Sequence, residues 1–337
     1  MLCWQVLQGA SVVVFPTTSL HLNRPYPGIF SFMTISAKQG IVLSLIMLTA
    51  IFSHAAYSKE MPVNLNQQPW IHGSQDCAKN IDEAIQVVQF DKNSWILRQN
   101  KCLNYEAPFM FLFIGQNKAL FIDTGATKDE SLFPLYKTVY EIISNWQDKQ
   151  QRKLDLVVAH THKHGDHYAA DNQFKGKANT TVVGLEVDDV KTFFQIKNWP
   201  EEIASFDLGN RELKIIPIPG HQAASIAIYD TSSKLLLTGD TFYPGRLYVD
   251  DWSAFRKSIQ KLSTFVEHNE VSYILGNHIE MSTSAGVDYP INTTYQPQEH
   301  KLPLIKKDLQ TLNRSLQALG EKATRKVFSN FIIYPND

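Results

Sequence analysis

Cysteine is scarce: Cys3, Cys77 and Cys102 are the only three in 337 residues, too few for a fold stapled by several disulfides. Net charge is nearly absent as well, with 32 basic against 33 acidic side chains. No long basic run occurs, so the electrostatic footprint that phosphate-backbone binding requires is missing, and no nucleic-acid partner is expected. No apolar run reaches the ~20 residues needed to span a bilayer. Beyond about Ala56 there is neither a low-complexity linker nor a repeat, and residues 56–337 read as one domain of ordinary size.

What is present is a chain with 44% hydrophobic residues, ample for a sizeable core. Near the N-terminus, the apolar run Ile41 to Phe52 follows Lys38 and precedes Ser53-His54-Ala55-Ala56, the layout of a secretory leader with a small-residue cleavage site. Cleavage is expected after Ala55, leaving no stable membrane anchor and a periplasmic or secreted protein. A leader begins close to its initiating residue, so Met33 is the expected start and residues 1–55 an N-terminal extension plus signal peptide. Export leaves Cys77 and Cys102 as an even pair in an oxidising compartment, and a disulfide between them is expected.

Hydrophobic patterning in the remainder alternates between strand and helix. Met110–Ile114 and Ala119–Ile122 flank Gly115-Gln116-Asn117 as a hairpin that exits through Asp123-Thr124-Gly125. Strand-like runs follow at 154–159, 180–185, 213–218, 225–229, 234–237 and 271–275, with a last strand at 327–334. Helices are expected over 132–146, 252–268 and from Pro303 to about Leu319. In 252–268, Trp252, Phe255, Ile259, Leu262, Phe265 and Val266 share one face, a stripe that belongs to a core. The class is α/β (α+β), with two sheets packed face to face under helices.

The chemistry concentrates in His160-Thr161-His162-Lys163-His164-Gly165-Asp166-His167, which follows the apolar run 154–159 directly. Neutral imidazole suits zinc, and a carboxylate adds charge and can bridge two ions, so His162, His164, Asp166 and His167 are metal-ligand candidates. Alternate residues of an extended segment face opposite ways, so convergence needs a compact turn, for which Gly165 supplies flexibility. Three further donors stand where strand-like runs end: His221 after Pro219-Gly220, Asp240 after Thr238-Gly239, and His278 after Gly276-Asn277. His160 and Lys163 receive no role.

These residues, in this order, resemble the metallo-β-lactamase-fold hydrolase superfamily. The matching motifs are Asp123-Thr124-Gly125, Thr161 to His167, Gly220-His221, Gly239-Asp240 and His278, spread over roughly residues 105–280. The resemblance implies an αββα sandwich with the site at one sheet edge. It also implies one metal on His162, His164 and His221, and a second on Asp166, His167 and His278, with Asp240 bridging. Zinc is favoured, two ions per chain, with iron and manganese left open.

A carboxylate at Asp240 is similar to the glyoxalase II-like thioesterases, lactonases and phosphodiesterases rather than to the zinc β-lactamases, which usually carry Cys or Ser there. His164 departs from the flavodiiron branch, which usually has Glu. Two ions sharing a water would lower its pKa toward ~7 and supply the nucleophile, with Asp166 as the catalytic residue that orients it. The expected activity is hydrolysis of a small ester, thioester or lactone; a β-lactam hydrolase and a non-catalytic zinc-binding protein are the alternatives. Export from the glutathione pool, and only 59 residues after His278, weigh against glyoxalase II in the narrow sense. Asp123 is a candidate partner for a ligand imidazole. Thr241 to Tyr248, Tyr289, Tyr295 and His300 are the candidates for substrate contact. Oligomeric state is left open.

Overall fold

The computed structural model describes residues 62–336. The leader, the start at Met33 and the cleavage site lie outside the described residues. Among those described, no helix is long and apolar enough to cross a membrane.

The first sheet runs in chain order, β1 (Ile85–Asp91), β2 (Ser94–Gln99), β3 (Phe109–Ile114), β4 (Lys118–Ile122), β5 (Asp155–Ala159) and β6 (Thr180–Val182). The first four strands are antiparallel neighbours, while β4, β5 and β6 are parallel. The second sheet contains β7 (Ala204–Asp207), β8 (Glu212–Pro217), β9 (Ile226–Asp230) and β10 (Leu235–Gly239). After β11 (Arg246–Val249), it is completed by β12 (Tyr273–Gly276) and β13 (Pro303–Leu304), in the order β13-β12-β10-β9-β8-β7. A small third sheet joins β11 to β14 (Lys326–Val327) and β15 (Ile332–Pro335).

Continuous apolar strands are buried on both faces. In β3, Phe109, Phe111 and Phe113 enter the core between the sheets, while Met110, Leu112 and Ile114 enter a second core on the outer face. That outer core is closed by α1 (Leu135–Gln150) through Leu135, Val139, Ile143 and Trp146. On the second sheet, Ile226, Ile228, Leu235 and Leu237 point inward, and Ala227, Tyr229 and Leu236 outward. Two short helices follow the last strands of the first sheet, α2 (Gly165–Tyr168) after β5 and α3 (Val187–Phe194) after β6. Then α4 (Trp252–His268) and α5 (Lys306–Leu319) cover the outer face, with Phe255, Ile259, Leu262 and Val266 fully buried. Three apolar layers between helix, sheet, sheet and helix make the αββα sandwich.

Some sequence-level boundaries shift. The strand expected at 180–185 stops at Val182, and the one expected at 327–334 divides into β14 and β15, which pair antiparallel about a turn. Cys77 and Cys102 are joined as expected.

The sheets are also clasped by a buried ion pair. Arg211 donates to Asp230 (3.1 and 2.5 Å) on the second sheet, and across to the carbonyls of Asn93 (2.6 Å) and Ile114 (3.1 Å) and to Ser94 Oγ (2.7 Å) on the first. Removing one partner strands the other charge in a dry interior. Asp230→Ala should therefore cost about 3–5 kcal/mol of stability in urea unfolding; a loss below about 1 kcal/mol would mean that the clasp is not structural.

Candidate metal centre

All seven donor candidates sit on one edge of the sandwich, five of them in loops that follow strands and two in the short helix α2. β8, β10 and β12 run in the same direction, since β9 is antiparallel to both β8 and β10, and β10 is parallel to β12. Their carboxyl ends therefore deliver His221, Asp240 and His278 to one edge. β5 of the first sheet delivers His162 and His164, and α2 adds Asp166 and His167 within one helical turn. Gly165 is not what makes this turn possible: it opens α2, and an added Cβ there would meet nothing within 4 Å. Glycine is required instead just before two other donors. Gly220 has φ +138° and a Cβ there would lie 2.3 Å from Phe255 Cα; Gly239 has φ +53° and a Cβ there would lie 2.8 Å from Thr161 Cβ.

The donors form two groups, His162, His164 and His221 in one, Asp166, His167, Asp240 and His278 in the other. In the first, His162 Nε2, His164 Nδ1 and His221 Nε2 are 3.1–3.2 Å apart pairwise. Three nitrogens on a tetrahedral zinc would be separated by about 3.3 Å, given Zn–N bonds of about 2.05 Å. In the second, Asp166 Oδ2 lies 3.3 Å from His167 Nε2 and 3.2 Å from His278 Nε2, which are 3.4 Å from each other. Asp240 Oδ2 stands between the groups, 3.3 Å from both His167 and His278, 3.8 Å from His162 and 3.9 Å from His221. Its Oδ1 is buried with no partner.

The far side of each Nε2 donor is also settled. His221 and His278 place Nδ1 at the carbonyls of Tyr248 (2.8 Å) and Glu106 (2.9 Å), so each must carry its proton there. His167 Nδ1 lies 3.1 Å from Asp123 Oδ2, and His162 Nδ1 lies 3.1 Å from Thr161 Oγ1, whose own proton goes to Asp123. In its neutral form every one of these imidazoles therefore turns an Nε2 lone pair toward its neighbours, the tautomer a metal ligand needs. The donor set fits two divalent cations.

Asp123 is both the turn residue and the partner suspected from the sequence: it adopts φ +64° and reaches His167. Asn277 and the backbone carbonyls of Glu106 and Tyr248 were not anticipated. Asn277 adjoins His278 in sequence, but main-chain acceptors leave no trace in residue type. His160 stands apart, 2.8 Å from Asp171, and Lys163 pairs with Glu186 at the surface.

A cleft of about 230 Å³ opens over the centre, and of the suspected substrate contacts Tyr243, Arg246 and Tyr248 line it. Tyr289, Tyr295 and His300 do not. Arg246 is committed to Glu280 (2.9 Å), Asp288 (2.6 Å), the Tyr289 carbonyl (2.8 Å) and Tyr248 Oη (2.9 Å), and so frames the wall.

The pattern of the metallo-beta-lactamase superfamily matches residues 106–285, more than half of the chain. The chain belongs to the metallo-beta-lactamase superfamily. The expectation of a metal-dependent hydrolase stands at that level. Curated relatives include hydroxyacylglutathione hydrolases of Brucella anthropi and Brucella ovis, each 30% identical over 112 residues, which is 32% of this chain and 42% or 43% of theirs. The matched stretch thus spans less than half the length of those relatives. Similar solved structures include metallo-beta-lactamases from Pontibacter korlensis (17% identity, 69% of this chain and 99% of that one, TM-score 0.45) and Erythrobacter litoralis (13%, 70% and 97%, TM-score 0.47).

Burial opposes protonation of His167 and His278, yet the carboxylates of Asp166 and Asp240, joined for His167 by Asp123, hold both imidazoles well above their ordinary value. Burial and the neighbouring His167 push His162 well below it, and burial lowers His221. In metal-free protein at pH 7 the second group therefore carries protons that a cation must displace. Zinc titration calorimetry in buffers of different ionisation enthalpy should show release on the order of one to two protons per chain, and affinity should rise with pH. Proton-neutral binding would contradict this electrostatic picture.

Proposed function

We propose that the protein is an exported dinuclear zinc hydrolase of a small ester, thioester or lactone. The observation that carries this reading is the placement of the Asp240 carboxylate between two donor groups, with one oxygen buried and unpartnered. A buried carboxylate oxygen without a donor is costly, and a cation relieves it. Bound divalent cations would acidify water and polarise a substrate carbonyl.

The chain's own residues do the rest. Burial works against ionisation of Asp166, but His167 and His278 hold its carboxyl well below the usual range, so it is an anion at neutral pH. Asp166 also lines the cleft, where it accepts a hydrogen bond from the attacking water and orients it. Asp123 keeps the His167 ring turned toward the centre, and the Glu106 and Tyr248 carbonyls do the same for His278 and His221. The joined pair Cys77–Cys102 suits an oxidising compartment and supports the periplasmic or secreted assignment. The small-molecule substrate is supported by the size of the cleft, and the carboxylate at position 240 favours acyl substrates over β-lactams.

The test is turnover of a matched panel of ester, thioester, lactone, β-lactam and phosphodiester by the zinc-loaded protein. One of the first three classes should be hydrolysed, and Asp166→Ala should lower that rate about 10²–10⁴-fold with the fold unchanged by circular dichroism. Turnover confined to β-lactam or phosphodiester would overturn the substrate class, and no rate above that of Asp166→Ala would overturn the hydrolase reading.

A further inference from the structure

The wall of the cleft beside the metal centre contains two polar side chains that no part of the mechanism uses. Lys101 is only 2% exposed and Gln296 only 4%, and both line the cleft. Lys101 Nζ donates one hydrogen bond, to the Tyr105 carbonyl at 2.9 Å, and has no carboxylate within 4.0 Å among the described residues. Gln296 Oε1 is buried and accepts from nothing.

Their placement is built by close packing. The backbone N–H of Gln296 donates to the His72 carbonyl (2.9 Å), and the adjoining Gly73 bridges to Tyr295. A Cβ at Gly73, which has φ +80°, would lie 1.9 Å from the Thr294 carbonyl oxygen and 2.9 Å from Lys101 Cβ. Only glycine lets this segment sit between Lys101 and residues 294–296. The disulfide from Cys77 to Cys102 ties the same segment to the residue after Lys101.

A buried acceptor without a donor lowers stability unless something supplies the missing hydrogen bond. The wall is already balanced in charge. Arg98 is held by Glu299 (2.6 and 2.5 Å) and Arg246 by Glu280 and Asp288, while the carboxylates of Glu299, Glu280 and Glu106 act on Lys101 from farther away. A substrate anion would therefore gain little there, and a neutral group that both donates and accepts fits better.

We propose that Lys101 and Gln296 form a subsite for a neutral carboxamide of the substrate, with the ammonium donating to its carbonyl oxygen and Gln296 Oε1 accepting from its N–H. The inference rests on the hydrolase reading in taking this cleft as the substrate's. Burial, with the charge of Arg98, lowers Lys101 to about 8, so it still donates as a cation at neutral pH.

The test compares the 4-nitrophenyl esters of N-acetyl-β-alanine and 5-oxohexanoate, which differ only by N–H in place of CH2, in the zinc-loaded protein. The ratio of kcat/KM for amide over ketone should fall about tenfold or more in Gln296→Leu, whereas Lys101→Met, which removes the donor to a carbonyl that both esters carry, should lower kcat/KM for both. Gln296→Leu should keep or raise the melting temperature, since no bond is lost, whereas a merely structural glutamine would lower it. An unchanged ratio with both esters turned over would overturn the subsite and leave the hydrolase reading intact. If neither ester is hydrolysed faster than by Asp166→Ala, ligand-observed NMR with N-ethylacetamide and 2-pentanone decides. Amide binding that is lost in Gln296→Leu would sustain the subsite, and equal or absent binding would overturn it.

Discussion

The buried carboxylate of Asp123 is the contact on which the centre depends. It accepts from Thr161 N (2.8 Å), Thr161 Oγ1 (2.9 Å), Asn277 Nδ2 (2.6 Å) and His167 Nδ1 (3.1 Å). These donors come from the loop after β5, from α2 and from the loop after β12, so one side chain at the end of β4 joins both sheets at the edge that carries the chemistry. An unsatisfied anion in so dry a place would be prohibitive. With four donors the same anion becomes a rigid anchor, and its left-handed backbone, worth about 1 kcal/mol of strain in a residue other than glycine, is the cost of aiming it.

From that anchor the arrangement follows in order. Apolar layers on both faces of each sheet fix the strand directions, strand directions put the carboxyl ends together, and tight turns at Gly220 and Gly239 present His221 and Asp240. Carbonyl, hydroxyl and carboxylate partners at Nδ1 then aim the Nε2 atoms of His162, His167, His221 and His278 at the centre. The centre is thus preorganised by neighbours that never touch the reacting groups.

The parts of this legible in sequence were those with a period or a cluster. The runs of β3, β4, β5 and β10 read as strands because both faces are buried, and α4 matched its apolar stripe from Trp252 to His268. The donor set was legible because histidines and carboxylates at strand ends have few other reasons to recur together. By contrast β1 escaped notice: its alternation leaves it half exposed at a sheet edge, and β7, β11 and β13 are too short to show any period. Phe328 and Phe331 made 327–334 look like one apolar strand, although they stack on each other across the turn that divides it. Lys101, Gln296 and Asn277 are single polar residues whose meaning comes only from burial, and the carbonyls of Glu106 and Tyr248 act through the backbone.

The most direct test of the account is the metal content and coordination of the purified protein, by elemental analysis together with X-ray absorption at the metal edge. The expected result is two divalent ions per folded chain, with only nitrogen and oxygen donors and a strong imidazole contribution. A single ion per chain after saturation, or sulfur in the coordination shell, would contradict the claim that His162, His164 and His221 on one side and Asp166, His167 and His278 on the other hold a pair of cations about Asp240.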